Sequence, residues 1–248
     1  MGGRRGFAGF PDPAQADADG LVAIGGDLAP ERLIGAYANG IFPWFNDDRR
    51  DILWWSPDPR AVIRPVDFSP TRSLRKRLRS DTLSCTFDAA FERVIEHCAL
   101  VPRQDQDGTW ITPAMRAAYT ELHRVGLAHS VEIWSTASAD SAQPRLVGGL
   151  YGVSLGRMFF GESMFSLQRD ASKCAFAALN AQLADWQFEL IDAQMPTAHL
   201  ASLGVREMPR ARFLAAVRAN DLGATRNHSW HFELGDLAAA GSIAAMRS

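Results

Sequence analysis

Three groups of residues in this 248-residue chain have the types and spacings that do chemistry. The segment FELIDAQ (188–194) reads as a strand with Asp192 and Gln194 two apart, so both side chains are expected on one face. A carboxylate beside a carboxamide can orient a polar reactant, although spacing alone favours a plain solvated strand end. The segment TRSLRKRLR (71–79) reads as a helix in which Arg72, Arg75, Lys76 and Arg79 share one arc of about 100°, with Leu74 and Leu78 opposite. Such a face can follow a phosphate backbone without reading sequence; the plainer alternative is a solvated charged surface. Cys174 with His129 or His199 suggests a thiol nucleophile, but Cys174 falls mid-helix among alanines with no third orienting group, which suits a core residue better.

The elements that must position these groups follow from periodicity. HSVEIW (129–134), LVGGLYGV (146–153) and RMFFGESMF (157–165) read as an antiparallel meander. A helix over 171–186 and the 188–194 strand come next, then a short HLASLG segment and a last helix from about Pro209 to Ala219. Upstream, Asp88 is expected to cap a helix carrying Phe91, Val94, Ile95 and Cys98. Thr112, Pro113, the stripe Met115, Ala118, Tyr119 and Leu122, and the closing Gly126 mark another. The first 60 or so residues, rich in Gly, Pro, Asp and aromatics, read as a small irregular N-terminal domain with one helix over 29–39. The boundary falls near residue 63, and a larger domain occupies 64–248 with a loose tail after about 235.

Composition bounds the class. An apolar content of 47% with 22% charged residues suits a globular enzyme. Three widely spaced cysteines make neither a disulfide framework nor a zinc pattern and fit a reducing cytoplasm. MGGRRGFAGFPDP lacks the apolar core of a signal peptide, and no stretch nears the 18 or so apolar residues of a membrane span, so neither export nor insertion is expected. The formal net charge is −2, yet residues 64–79 carry six Arg or Lys against Asp67 alone.

Strand, strand, strand, helix, strand looks like the central unit of the GNAT (acyl-CoA N-acyltransferase-like) fold: α+β, with a mostly antiparallel mixed sheet. Coenzyme A would require a glycine-rich turn into that helix. SLQRDASK (166–173) has no glycine, and Asp170 repels pyrophosphate. Acyl transfer from another carrier is therefore suggested, and the basic helix nominates RNA. A coenzyme A-dependent acyltransferase and an inert RNA-binding protein remain as alternatives.

GLVAIGGDLAPERLIGAYANGIFPWF (20–45), ILWWSPDPRAV (52–62), GTWIT (108–112), AHSVEIW (128–134), LVGGLYGV, GESMFS (161–166) and LIDAQ (190–194) stand in order from about residue 20 to 220. Together they resemble the leucyl/phenylalanyl-tRNA-protein transferase family. The resemblance implies a GNAT-like domain behind a small N-terminal one, no metal and no organic cofactor. The reaction it implies moves Leu or Phe, and less often Met, from aminoacyl-tRNA to the N-terminal Arg or Lys of a protein, marking it for N-degron-dependent degradation. A cytoplasmic monomer that binds no membrane is expected, with Arg72, Arg75, Lys76 and Arg79 on the tRNA backbone.

By the same resemblance the Gln194 carbonyl accepts a hydrogen bond from the attacking amine, and Asp192 orients that amine or steadies its charge. Glu162 is the third catalytic residue, receiving the cationic Arg or Lys side chain or holding Gln194. Trp44 and Trp110 hold the 3′-terminal adenosine, whereas Trp54 and Trp55 read as core. Leu150, Phe159, Leu179, Leu183 and Ile191 align with the aminoacyl side-chain pocket. Leu150 stands where Met is familiar, and Leu179 and Leu183 where Phe is, so the preference between Leu and Phe stays open.

Overall fold

The computed structural model describes residues 9–100, 111–136 and 143–243. Near the N-terminus, β1 (Leu21–Ile24), β2 (Phe42–Pro43) and β3 (Leu53–Trp55) pair antiparallel in the order β1-β3-β2. The expected helix is α1 (Pro30–Tyr37), which opens on a proline whose missing N–H the first turn does not need. Strands of two to four residues offer no period of two, which is why this region reads as irregular from sequence. Trp54 is buried and its Nε1 donates to the Gly25 carbonyl at 2.8 Å. Trp55, expected in the core, is only half-buried.

Among the described residues the larger sheet has seven strands in the order β10-β4-β9-β8-β7-β6-β5. These are β4 (Arg60–Ile63), β5 (Leu83–Phe87), β6 (Ala128–Ser135), β7 (Arg145–Leu155), β8 (Met158–Ser166), β9 (Leu190–Gln194) and β10 (Arg206–Met208). The meander is as expected, with β5 added at its edge. Of these strands only β8 and β9 run parallel, joined by α5 (Ala171–Asp185), since parallel neighbours need a crossover element. On one face α3 (Phe91–Leu100), α4 (Pro113–Arg124) and the N-terminal sheet share a core that includes Tyr37, Trp54, Tyr119, Tyr151 and Phe213. On the other, α2 (Arg72–Leu78) and α5 pack a second core with Leu74, Leu78, Leu150, Phe176 and Leu179. The remaining helices are α6 (Ala198–Ser202), α7 (Arg210–Ala219) and α8 (Leu237–Ile243).

Three expectations need correction. The strand β4, on the N-terminal side of the expected boundary at residue 63, lies inside the large sheet between β9 and β10. As far as residue 243, the segment after 235 is packed and not loose: Leu237 and Ala240, three apart on α8, are buried in the same direction, and the Asp236 side chain accepts from the Ala239 N–H. Asp88 does not cap α3, because its carboxylate accepts from the Ser130 and Trp230 backbone N–H groups and pairs with His129.

Two irregularities shape the site. The β8–β9 ladder covers only Met158–Phe160 against Leu190–Asp192, and beyond it the strands part around a cavity that both line. Each also carries a bulge at that point: Tyr151 and Gly152 oppose Ser163 and Gly161, leaving Glu162 extra on β8. Ala61 and Val62 oppose Gln194 and Asp192, leaving Ala193 extra on β9. Bulges re-aim side chains and often sit beside functional sites. Glycine makes room on β7, since a Cβ on Gly152 would come within 2.6 Å of the Phe159 ring and one on Gly148 within 2.5 Å of the Ala171 Cβ.

Candidate active site

The cavity between the parted strands measures about 660 Å³. Its apolar wall holds Leu150, Phe159, Phe176, Leu179 and Ile191, each almost wholly buried. Trp44, Glu162 and Gln194 also line it. Four of the five residues expected in the side-chain pocket are therefore brought together. Leu183 is not: one turn beyond Leu179 on α5, it is fully buried in the same core and outside the cavity lining.

Glu162 and Gln194 meet across the gap, with Gln194 Nε2 donating to Glu162 Oε1 at 2.7 Å. Two tyrosines from outside the large sheet complete the group. Tyr37 on α1 donates to Glu162 Oε1 at 2.7 Å, and Tyr119 on α4 donates to Oε2 at 3.0 Å. The two hydroxyls are also hydrogen-bonded to each other. Burial pushes the Glu162 carboxyl up from 4.5 to about 7, against the lowering effect of the bonds it accepts. Burial and the neighbouring carboxylate raise both phenols as well. With its Nε2 committed to Glu162, Gln194 has its carbonyl oxygen left to accept a hydrogen bond.

Asp192 is placed differently from expectation. It has no accessible surface and does not line the cavity. Arg60 Nε and Nη2 grip its two oxygens at 2.8 and 2.6 Å, and Oδ1 also accepts from the Gln194 backbone N–H at 2.9 Å. The shared face expected for Asp192 and Gln194 is lost because the Ala193 bulge and a left-handed Gln194 (φ +64°) break the alternation. Ile191, Ala193 and Gln194 face the cavity, and Asp192 faces away.

Trp44 is half-buried at the cavity wall, its carbonyl accepting from Trp55 Nε1 at 2.9 Å and its ring edge-on to Trp55 at 6.1 Å. Trp55 thus buttresses Trp44. Trp110 lies outside the described residues. On α2, Leu74 and Leu78 are buried while Arg72, Lys76 and Arg79 are exposed and Arg75 is half-exposed, so the cationic face exists. Asp170 stands at the entry to α5, bonded to Lys173 at 2.9 Å, and that bond holds its carboxyl below the ordinary range. A carboxylate at the helix entry disfavours pyrophosphate, as expected. Burial pushes the Cys174 thiol up to about 12, which removes it as a nucleophile.

Sequence reasoning missed Tyr37 and Arg60, and read Tyr119 only as part of a packing stripe. The available signal was Arg60 itself, since an arginine opening the apolar run AVI must find an anion once buried.

A carboxamide fixed by Glu162 thus stands at an apolar cavity between the parted parallel strands, an arrangement that can orient a reactant. The family model described as leucyl/phenylalanyl-tRNA protein transferase matches residues 62–218, and that of its N-terminal domain matches residues 26–58. The chain belongs to the leucyl/phenylalanyl-tRNA protein transferase family, whose members are aminoacyltransferases. Among its relatives of that name, the one from Anaeromyxobacter sp. (strain Fw109-5) is 52% identical over 92% of this chain and 93% of its own. That from Nitrosomonas europaea is 52% identical over 90% and 92%, and that from Xanthomonas oryzae pv. oryzae 50% over 94% and 91%. A more distant likeness is to the solved structure of L-PGS from Bacillus licheniformis, with a TM-score of 0.39 and 8% identity over 70% of this chain and 54% of that one. It bears on neither fold nor function.

Proposed function

We propose that this enzyme transfers Leu or Phe, and less readily Met, from aminoacyl-tRNA to the N-terminal Arg or Lys of proteins, marking them for N-degron-dependent degradation. The observation that carries this reading is the Gln194 carboxamide, held by Glu162 at the polar end of a cavity whose wall is Leu150, Phe159, Leu179 and Ile191. The aminoacyl side chain occupies the apolar wall, which sets its ester carbonyl near Gln194. The ester is already activated and the nucleophile is an α-amine of pKa about 7.7–8.0, so orientation serves better than a strong base. The neutral amine donates to the Gln194 carbonyl and attacks the ester carbon. A C–N bond forms, the bond to the tRNA 3′ oxygen breaks, and that oxygen takes the proton the amine loses.

Glu162 holds Gln194 and offers negative charge to an Arg or Lys side chain; Asp192 works from behind the strand. Trp44 stacks the 3′-terminal adenosine, with Trp110 as its partner, and Arg72, Arg75, Lys76 and Arg79 follow the tRNA backbone. The test is transfer of labelled Leu or Phe from tRNA to peptides that begin with Arg, Lys or Ala, with and without RNase. Label on the Arg and Lys peptides that RNase abolishes is the expected result. Equal labelling of the Ala peptide would overturn the acceptor preference, and labelling supported by acyl-coenzyme A would overturn the donor.

A further inference from the structure

Gln194 is one of four residues other than glycine with positive φ among the described residues, and it alone of these lines the cavity. The left-handed conformation is uncommon outside glycine and persists in a residue of this type only where its surroundings impose it. Here the conformation has a use. Strand alternation would send the residue after Ala193 to the face that Asp192 occupies, away from the cavity. The bulge at Ala193 together with φ +64° returns Gln194 to the cavity side, where Nε2 reaches Glu162.

The restraint on that backbone is the bond from the Gln194 N–H to Asp192 Oδ1, and its acceptor is itself immobilised. Arg60 fills Asp192 from the other side with a two-point fork, and neither side chain has accessible surface. Arg60 is fixed in turn: Nη1 donates to the Gly40 carbonyl at 3.0 Å, and its guanidinium lies over the rings of Phe42 and Phe213 at 4.9 and 4.4 Å. A planar guanidinium satisfies all these contacts at once, and a lysine ammonium cannot.

We propose that Arg60 is a positioning residue for the transfer reaction. By clamping Asp192 it holds Gln194 in the left-handed turn that aims the carboxamide into the cavity. The chain of contacts starts at the Gly40 turn and ends at the reacting groups without Arg60 touching substrate. The importance of Gln194 rests on the reaction proposed above, whereas the clamp on its backbone does not.

The test uses the full-length protein with Arg60→Lys, which keeps the charge and loses the fork, and with Arg60→Met/Asp192→Leu, which removes the ion pair in favour of apolar groups that a core accepts. The first readout is hydrogen exchange at the Gln194 backbone amide, which is independent of the reaction catalysed. The second is kcat and KM for aminoacyl-tRNA with an Arg-initiated peptide. The expected result is faster exchange at Gln194 in both variants, with kcat lowered about 10-fold or more and KM within about twofold. The paired variant should show this while melting near the wild-type temperature. Wild-type exchange and kcat in either variant overturn the proposal. So does a folded paired variant that recovers full kcat, since Arg60 would then serve stability alone. If wild-type protein transfers nothing while Arg60→Lys still loosens Gln194, the proposed reaction fails and the clamp stands.

Discussion

Glu162 and Asp192 sit on adjacent parallel strands, both withdrawn from water, in opposite surroundings. Asp192 is met by the Arg60 guanidinium, so the charge it carries is balanced inside the protein. Among the described residues Glu162 is met by neutral donors, two phenols and a carboxamide, and its carboxyl rises to about 7. A buried carboxylate with an internal cation is fixed in place and can anchor a backbone. One without a cation is poised near neutrality and gains most from a cation brought by a substrate. The same chemical group is thus ion-paired out of reach of the cavity on one strand and lines the cavity on the next.

The largest break in that contrast is Asp192→Ala, which leaves the Arg60 guanidinium buried and unpaired. It should cost about 3–5 kcal/mol, seen as a fall in melting temperature of roughly 6–20 °C for a chain of this size. Gln194→Ala should leave the melting temperature almost unchanged and lower kcat by about 10²–10³; wild-type turnover there would remove Gln194 from the reaction.

Glu162→Gln should act on stability with the sign opposite to Asp192→Ala. The folded carboxyl titrates above its ordinary value, so its contribution is full below about 4.5 and is lost as pH rises through about 7. The interval from 4.5 to about 7, at about 1.4 kcal/mol per pH unit, makes roughly 3 kcal/mol. Denaturant midpoints between pH 4 and 8 should decline in the wild type and stay flatter in Glu162→Gln. An equal decline in both would assign it elsewhere.

Trp44→Ala should weaken binding of puromycin or an aminoacyl-adenosine by about 1–3 kcal/mol, the usual worth of one stacked base. Undiminished fluorescence quenching in that variant would exclude the stacking role. The smallest effect belongs to α2: neutralising Arg72 or Lys76 should lower the dependence of tRNA affinity on log salt by about 0.7–0.9 for each phosphate left without its cation. Affinity at low salt should fall severalfold with kcat unchanged.

Much of the fold was legible. Thr112, Pro113 and Gly126 bracket α4 as their types demand, and the Thr112 hydroxyl accepts from the Met115 N–H. The meander and the 188–194 strand carry residues of strand type and length, and α5 is Ala-rich and long. The strands β1 to β5 and β10 went unread because they are short, and two of them, β2 and β4, are buried on both faces, which leaves no alternation. Of the residues on the cavity lining, Trp44, Leu150, Glu162, Ile191 and Gln194 stand in the motifs that carry the resemblance, and Phe159 and Leu179 were aligned by it outside those motifs. The shared face of Asp192 and Gln194 was misread because alternation presumes an unbroken ladder. The bulge depends on pairing with Ala61 and Val62, some 130 residues away in sequence.

The sequence by itself determined the family, the alternation of helices and strands, the apolar stock of the cavity and the cationic face of α2, since these depend on residue type and near neighbours. Only the tertiary structure decided which carboxylate faces the cavity. Tyr37, Arg60, Tyr119, Glu162, Asp192 and Gln194 come from α1, β4, α4, β8 and β9. Which donor reaches which oxygen is set by how those elements pack, and the partner that reaches a buried carboxylate decides whether its charge is balanced in place or its carboxyl is pushed toward neutrality.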